Sequence, residues 1–190
     1  MGAGALAMPS QVPRRVDTDI VIALRRLIPE YARVDNLLGP SHVLALVAVH
    51  LNFIGELLGV ASGPVRDELL GVGASYAEFA GWLHQDAGDP RAAGYWSDRA
   101  LAWAQAGNDR RMVSYVLMRK SNQASTIGDA GRALTLARGS LRHAEELSPR
   151  GRALALRQEA RAHALSGERD SRRSVDRRGP RRRRGARRPR

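Results

Sequence analysis

Three sets of side chains in this sequence are spaced to act together: Glu78, Trp82, Gln85 and Asp86; Tyr115, Met118, Asn122 and Ser125; Arg157 and Arg161. Within each set the steps of three, four and seven residues return to one face of a helix. The types suit recognition of a polypeptide. An amide such as Asn122 can satisfy both the N–H and the C=O of an extended segment. A guanidinium such as that of Arg157 or Arg161 can hold a carboxylate through two parallel bonds, and Trp82 or Tyr115 offers a rigid apolar platform.

The residue types for bond-making chemistry are not gathered in the same way. There is no cysteine, which removes disulfides, thiolate zinc sites and a thiol nucleophile. The five histidines are scattered, and neither His42 nor His50 has a histidine or carboxylate one turn on, so no metal ligand set and no cofactor is expected. His84 and His163 fall at equivalent places in their segments, which reads as a shared packing role. The glycines of "GAGALAM" and "GVGAS" lack the preceding strand of a phosphate or dinucleotide loop, and no nucleophile elbow is present. A non-catalytic protein is the expectation.

The elements that position the three sets are marked by unusually regular punctuation. "GPS" at 39–41, "SGP" at 62–64, "GDP" at 88–90, "GND" at 107–109, "GD" at 128–129, "SP" at 148–149 and "SGE" at 166–168 each combine signals drawn from a helix-ending glycine, a capping Ser or Asp and a first-turn proline. The segments between them lack β-branched alternation and predict helices over 16–37, 41–60, 64–87, 89–106, 109–127, 129–147 and 149–165. Such short links force consecutive helices to run antiparallel, so the fold class is all-α, a stack of helical hairpins. Alanine and leucine dominate the apolar share while aromatics make up only 5%, a balance that favours close helix packing.

Aligned on Gly88, Gly128 and Gly167, which stand 40 and 39 residues apart, small residues recur at matching places: Gly81, Ser121 and Ala160 before the joint, Ala93, Ala133, Ala100 and Ser140 after it. Small side chains at fixed offsets around a Gly-Asp turn are the physical content of a tetratricopeptide-like repeat, here with a longer period than the usual value of about 34. Trp96, Ala100 and Trp103 share one face of the second helix and read as packing, with Tyr95 off that stripe. In such a stack the first helix of each hairpin lines the concave side, which is where the three sets fall.

The string from 63 to 125, "GPVRDELLGVGASYAEFAGWLHQDAGDPRAAGYWSDRALAWAQAGNDRRMVSYVLMRKSNQAS", resembles the C-terminal tetratricopeptide-like region of actinobacterial transcriptional regulators that begin with a helix-turn-helix of the xenobiotic-response-element family. The resemblance extends over roughly 12–168. It implies a cytoplasmic regulator whose repeats serve as sensor or oligomerisation module, with DNA bound by an N-terminal domain for which residues 1–14 leave no room.

The organisation expected is therefore a disordered linker remnant at 1–14, the repeat domain at 15–167, and a disordered Arg-rich tail at 168–190. Of the net charge of +12, that tail carries twelve arginines against Glu168, Asp170 and Asp176. Such a tail could hold nucleic-acid phosphates only weakly and without sequence preference. The repeat is expected to stop within a unit near Glu168; an uncapped apolar face would then favour a homodimer. The expected partner is a peptide or protein. The most apolar stretch, "VLALVAVHLNFIGELLGV", is interrupted by His50, Asn52 and Glu56, and no membrane span is expected. The other readings are a nucleic-acid-associated protein that binds phosphates through its basic tail, and a small-molecule sensor, since helix bundles can enclose pockets.

Overall fold

The computed structural model describes residues 16–178, with side chains to 167. The calls on residues 1–14 and on 179–190 lie outside the described residues. Among those described there is no strand, and seven α-helices follow one another: α1 Thr18–Leu38, α2 Ser41–Val60, α3 Gly63–Asp86, α4 Pro90–Ala106, α5 Arg110–Thr126, α6 Ala130–Ser140 and α7 Pro149–Arg178. Each packs on the next, and the odd-numbered helices also meet in series, α1 with α3, α3 with α5 and α5 with α7.

Three successive joints are built the same way. Gly88, Asn108 and Gly128, at steps of 20 residues, take the left-handed conformation with φ of 78°, 51° and 76°. The residue after each is an aspartate. Its backbone N–H closes the ending helix on a carbonyl five residues back, Asp89 to His84, Asp109 to Ala104 and Asp129 to Ala124, at 2.8 to 2.9 Å. Its side chain then caps the next helix by accepting from the amide of Ala92, Met112 or Arg132. One residue pair thus both stops and starts a helix, and that fixes the tight reversal between neighbours.

Between α1 and α4 the core is aliphatic and aromatic. Val43, Val47, Leu51, Ile54 and Leu57 form the buried stripe of α2, and they meet Val21, Leu24, Leu69, Leu70 and Leu83. Tyr76 lies at the centre, fully buried, its hydroxyl donating to the Leu24 carbonyl at 2.9 Å. Trp103 closes the far side, with Trp96 half-buried against the same core and Tyr95 exposed. Gly73 lets the Trp103 ring approach, since a Cβ there would stand 2.9 Å from Trp103 Cε3 and 3.1 Å from Ile54 Cγ2.

The α5–α7 part is thinner. Ala124, Ala133 and Ala162 form its small core, with Leu134 and Leu136 against them. Ser121 on α5 donates to the Ala133 carbonyl on α6 at 2.8 Å, the place that Gly81 occupies against Ala93 and Ser97 in the preceding hairpin. Ala160, third in that series by sequence, is exposed, and on α7 it is Ala155 and Ala162 that are buried.

Two helix ends differ from the sequence expectation. α6 stops at Ser140 rather than 147, and the chain tightens into a 3-10 turn at Ala144–Glu146. Gly139 and Ser140 are weak helix formers, so the last predicted turn has little to sustain it. α7 continues past 165 to Arg178, into the segment read as a disordered tail, because arginine is a good helix former and no proline intervenes before Pro180. By length and composition α2 is also, among the described residues, the one helix long and apolar enough to cross a membrane, with mean hydropathy 2.0, although its buried stripe packs on α1 and α3. The interruptions by His50, Asn52 and Glu56 are too few to lower that average.

Candidate ligand groove

The parallel course of α3 and α5 follows from their side-chain pairs: Glu78 meets Arg119, and seven residues further along α3 Gln85 meets Asn122. Between these helices a groove of about 640 Å³ opens, continued by α7 and by the link before it. α3 contributes Ser75, Glu78 and Phe79; α5 contributes Arg111, Met112 and Tyr115, with its cap Asp109; Leu147, Ser148, Arg150 and Leu154 come from the α7 side, and Ile28 from α1. The lining combines carbon surface with the cations of Arg111 and Arg150, the Tyr115 hydroxyl and the carboxylates of Glu78 and Asp109. Among the described residues neither Arg111 nor Arg150 makes an ion pair.

Beyond the groove, Arg119 gathers four of the residues singled out by sequence. Its Nε donates to Glu78 Oε1 at 2.9 Å and its Nη2 to Gln85 Oε1 at 3.3 Å, while its guanidinium lies over the Trp82 ring, 4.5 Å from the centroid. Gln85 Nε2 in turn donates to Asn122 Oδ1 at 3.1 Å. The side chains of Arg119 and Glu78 are only 9% and 13% exposed, so each charge depends on the other. Burial pushes the Glu78 carboxyl above its ordinary value of 4.5, and the neighbouring guanidinium pulls back against that shift. Burial, and then the charge of Glu78, raise the Tyr115 phenol, which therefore faces the groove as a neutral hydroxyl. Asp86 is raised by burial and by Asp35, with Arg119 opposing.

Glu78 and Tyr115 thus line the groove, and Glu78, Trp82, Gln85 and Asn122 meet around one cation. Met118 and Ser125 are buried instead, and the Ser125 hydroxyl has no hydrogen-bond partner among the described residues. Arg157 and Arg161 are exposed on α7; Arg157 lies two turns past Arg150 on the same face, beyond the groove. Arg119, Arg111 and Arg150 were missed. The signal for Arg119 was its step of four from Tyr115 and three to Asn122, which places it on the face already chosen.

The histidines occupy separate places. The His50 ring packs at a tilt against Tyr31 and Tyr76, with Nδ1 2.9 Å from the Leu46 carbonyl. His84 stands 4.0 Å from Asp89, and His163 the same distance from Glu159. Among the described residues no three His, Asp or Glu side chains converge as a metal site would need. No protein-family model matches the chain, and neither a curated protein nor a solved structure matches it.

Proposed function

We propose that this chain is a tetratricopeptide-like repeat module that binds an extended segment of another polypeptide and carries out no catalysis. The observation that carries this reading is the groove itself: an open channel with carbon floor at Phe79, Met112 and Leu154, flanked by Arg111, Arg150 and the neutral Tyr115 hydroxyl. Side chains of a bound segment would rest on the carbon surface while its carbonyls and carboxylates met the donors. The superhelical arrangement is supported by the serial contacts of α1, α3, α5 and α7 and by joints recurring every 20 residues. The ion pair of Glu78 with Arg119 is then a positioning device, tying α5 to α3 along one edge of the channel.

The resemblance of residues 63–125 to regulator repeats supports a cytoplasmic regulatory setting, with the segment bound as signal or as part of a partner protein. In that setting α2 is a core helix, and the Arg-rich end of the chain is a minor contributor to any nucleic-acid contact.

A photo-crosslinking amino acid in place of Met112, with a control in place of the exposed Ala102 on α4, tests the proposal in cells expressing the full chain. A polypeptide adduct forms at 112 and not at 102, and reversing the charges in Arg111→Glu and Arg150→Glu reduces it about tenfold. Absence of a polypeptide adduct at 112, or equal labelling at both positions, overturns it.

A further inference from the structure

Lys120 is the chain's sole lysine, and it is placed where an ammonium is poorly hydrated. It is 7% exposed, on the side of α5 away from the groove, with its Nζ against Asp98 of α4. Burial, and then the nearby Arg132 of α6, lower its pKa from the usual 10.5. Lys120 therefore has one carboxylate partner and a second cation nearby, and that cation, Arg132, makes no ion pair among the described residues. Asp98 itself is 64% exposed, so it can give up its hold on Lys120 by moving into water without disturbing a helix.

Beside these two cations a cavity of about 100 Å³ opens between the α3–α4 turn, the end of α5 and the start of α6. Its walls are mostly carbon, from Pro90, Ala93, Ala124 and Ile127, with Gln85, Gln123 and Thr126 as neutral polar members. Gly94 leaves it open, since a Cβ there would meet nothing within 4 Å. Gln123 is already engaged, donating to Ser97 Oγ at 2.9 Å. The space is thus lined mostly by carbon, with two cations, Lys120 and Arg132, among its lining residues.

We infer that this cavity is a binding site for a small amphipathic carboxylate, its acid group received by Lys120 and Arg132 and its alkyl part lying between Pro90, Ala93 and Ala124. A carboxylate matches a guanidinium through paired hydrogen bonds and presents little further charge to the carbon walls; a phosphate would bring charged oxygens against them on every side. Both a free short-chain acid and the end of a peptide with an apolar last residue offer this chemistry. The cavity is separate from the groove assigned to the polypeptide segment, so the two sites are tested independently.

Because there is one lysine, the full chain labelled with carbon-13 lysine gives a single side-chain methylene-ammonium signal. Titration with butyrate, as the free acid, and with N-acetylvaline, as the peptide end, shifts that signal saturably, and whichever binds more tightly identifies the source. Butyramide, which keeps the shape without the charge, leaves it in place. Arg132→Gln, at an exposed position, weakens binding about tenfold; Gly94→Leu, which fills the cavity without touching either cation, abolishes the shift. Far-ultraviolet circular dichroism verifies that each variant stays helical. No saturable shift with either acid, an equal shift with butyramide or chloride, or unchanged affinity in Arg132→Gln overturns the inference.

Discussion

Between α1 and α4 the helices meet through Val, Leu, Ile and the rings of Tyr76 and Trp103, whereas between α5 and α7 they meet mainly through alanines, with Leu134 and Leu136 against them and the Ser121 hydrogen bond across. The joints are alike in both parts, so local turn chemistry is not what separates them. Side-chain volume is. Burying a large aliphatic side chain contributes about 1.5–3 kcal/mol, and an alanine methyl far less. The three buried polar atoms without partners among the described residues, on Ser114, Ser125 and Gln158, also fall on α5 and α7. The groove lies at the border, with α3 as the wall packed on large side chains and α5 and α7 as the wall packed mainly on small ones, which the difference in burial makes the more yielding.

The contrast can be broken or sharpened by substitution, with urea denaturation as the measurement. Trp103→Ala, which empties the aliphatic part, costs about 3–5 kcal/mol. Glu78→Ala, which leaves Arg119 buried and unpaired at the border, costs about 3 kcal/mol, and replacing Arg119 with Met in the same chain recovers much of it. The glycines then separate the two parts by sign. Gly73→Ala drives a methyl into Trp103 and Ile54 and destabilises by about 1–3 kcal/mol. Gly131→Ala, in α6 where a Cβ meets nothing within 4 Å, stabilises by up to about 1 kcal/mol. If both glycine variants destabilise equally, packing does not distinguish the parts.

The smallest effects are in pH. The folded chain holds the Glu78 proton more tightly than the unfolded one, so this group favours folding below its ordinary value of 4.5 and that contribution is lost as pH rises through the folded value. Lys120 acts in the alkaline range. Its folded pKa is depressed, so its contribution is present above the ordinary 10.5 and is lost as pH falls through the folded value. Lys120→Met therefore flattens the rise of stability with pH on the alkaline side; an unchanged slope would show that Lys120 is not held in a poorly hydrated place.

Most of the helices were legible because their ends are written in short-range chemistry: a left-handed Gly or Asn followed by Asp needs no tertiary information. The end of α6 was not, since it depends on the weak propensity of Gly139 and Ser140 against what packs on them. The candidate face was legible to within one position. Counting along α5 selects Met118, whereas the face that meets α3 runs through Tyr115, Arg119 and Asn122, and a shift of one residue turns a side chain by about 100° into the interior. Pairing across 41 residues, as between Glu78 and Arg119, is set by how two hairpins stack, which no local pattern encodes.

The central claim, a firm wall facing an adjustable one, is tested most directly by native-state amide exchange of the full chain across a series of low urea concentrations. The account predicts that amides around Leu51, Tyr76 and Leu83 exchange only through global unfolding, while those around Ala133, Ala155 and Ala162 open in a separate unit at lower free energy. Convergence of all these amides on one isotherm would contradict it.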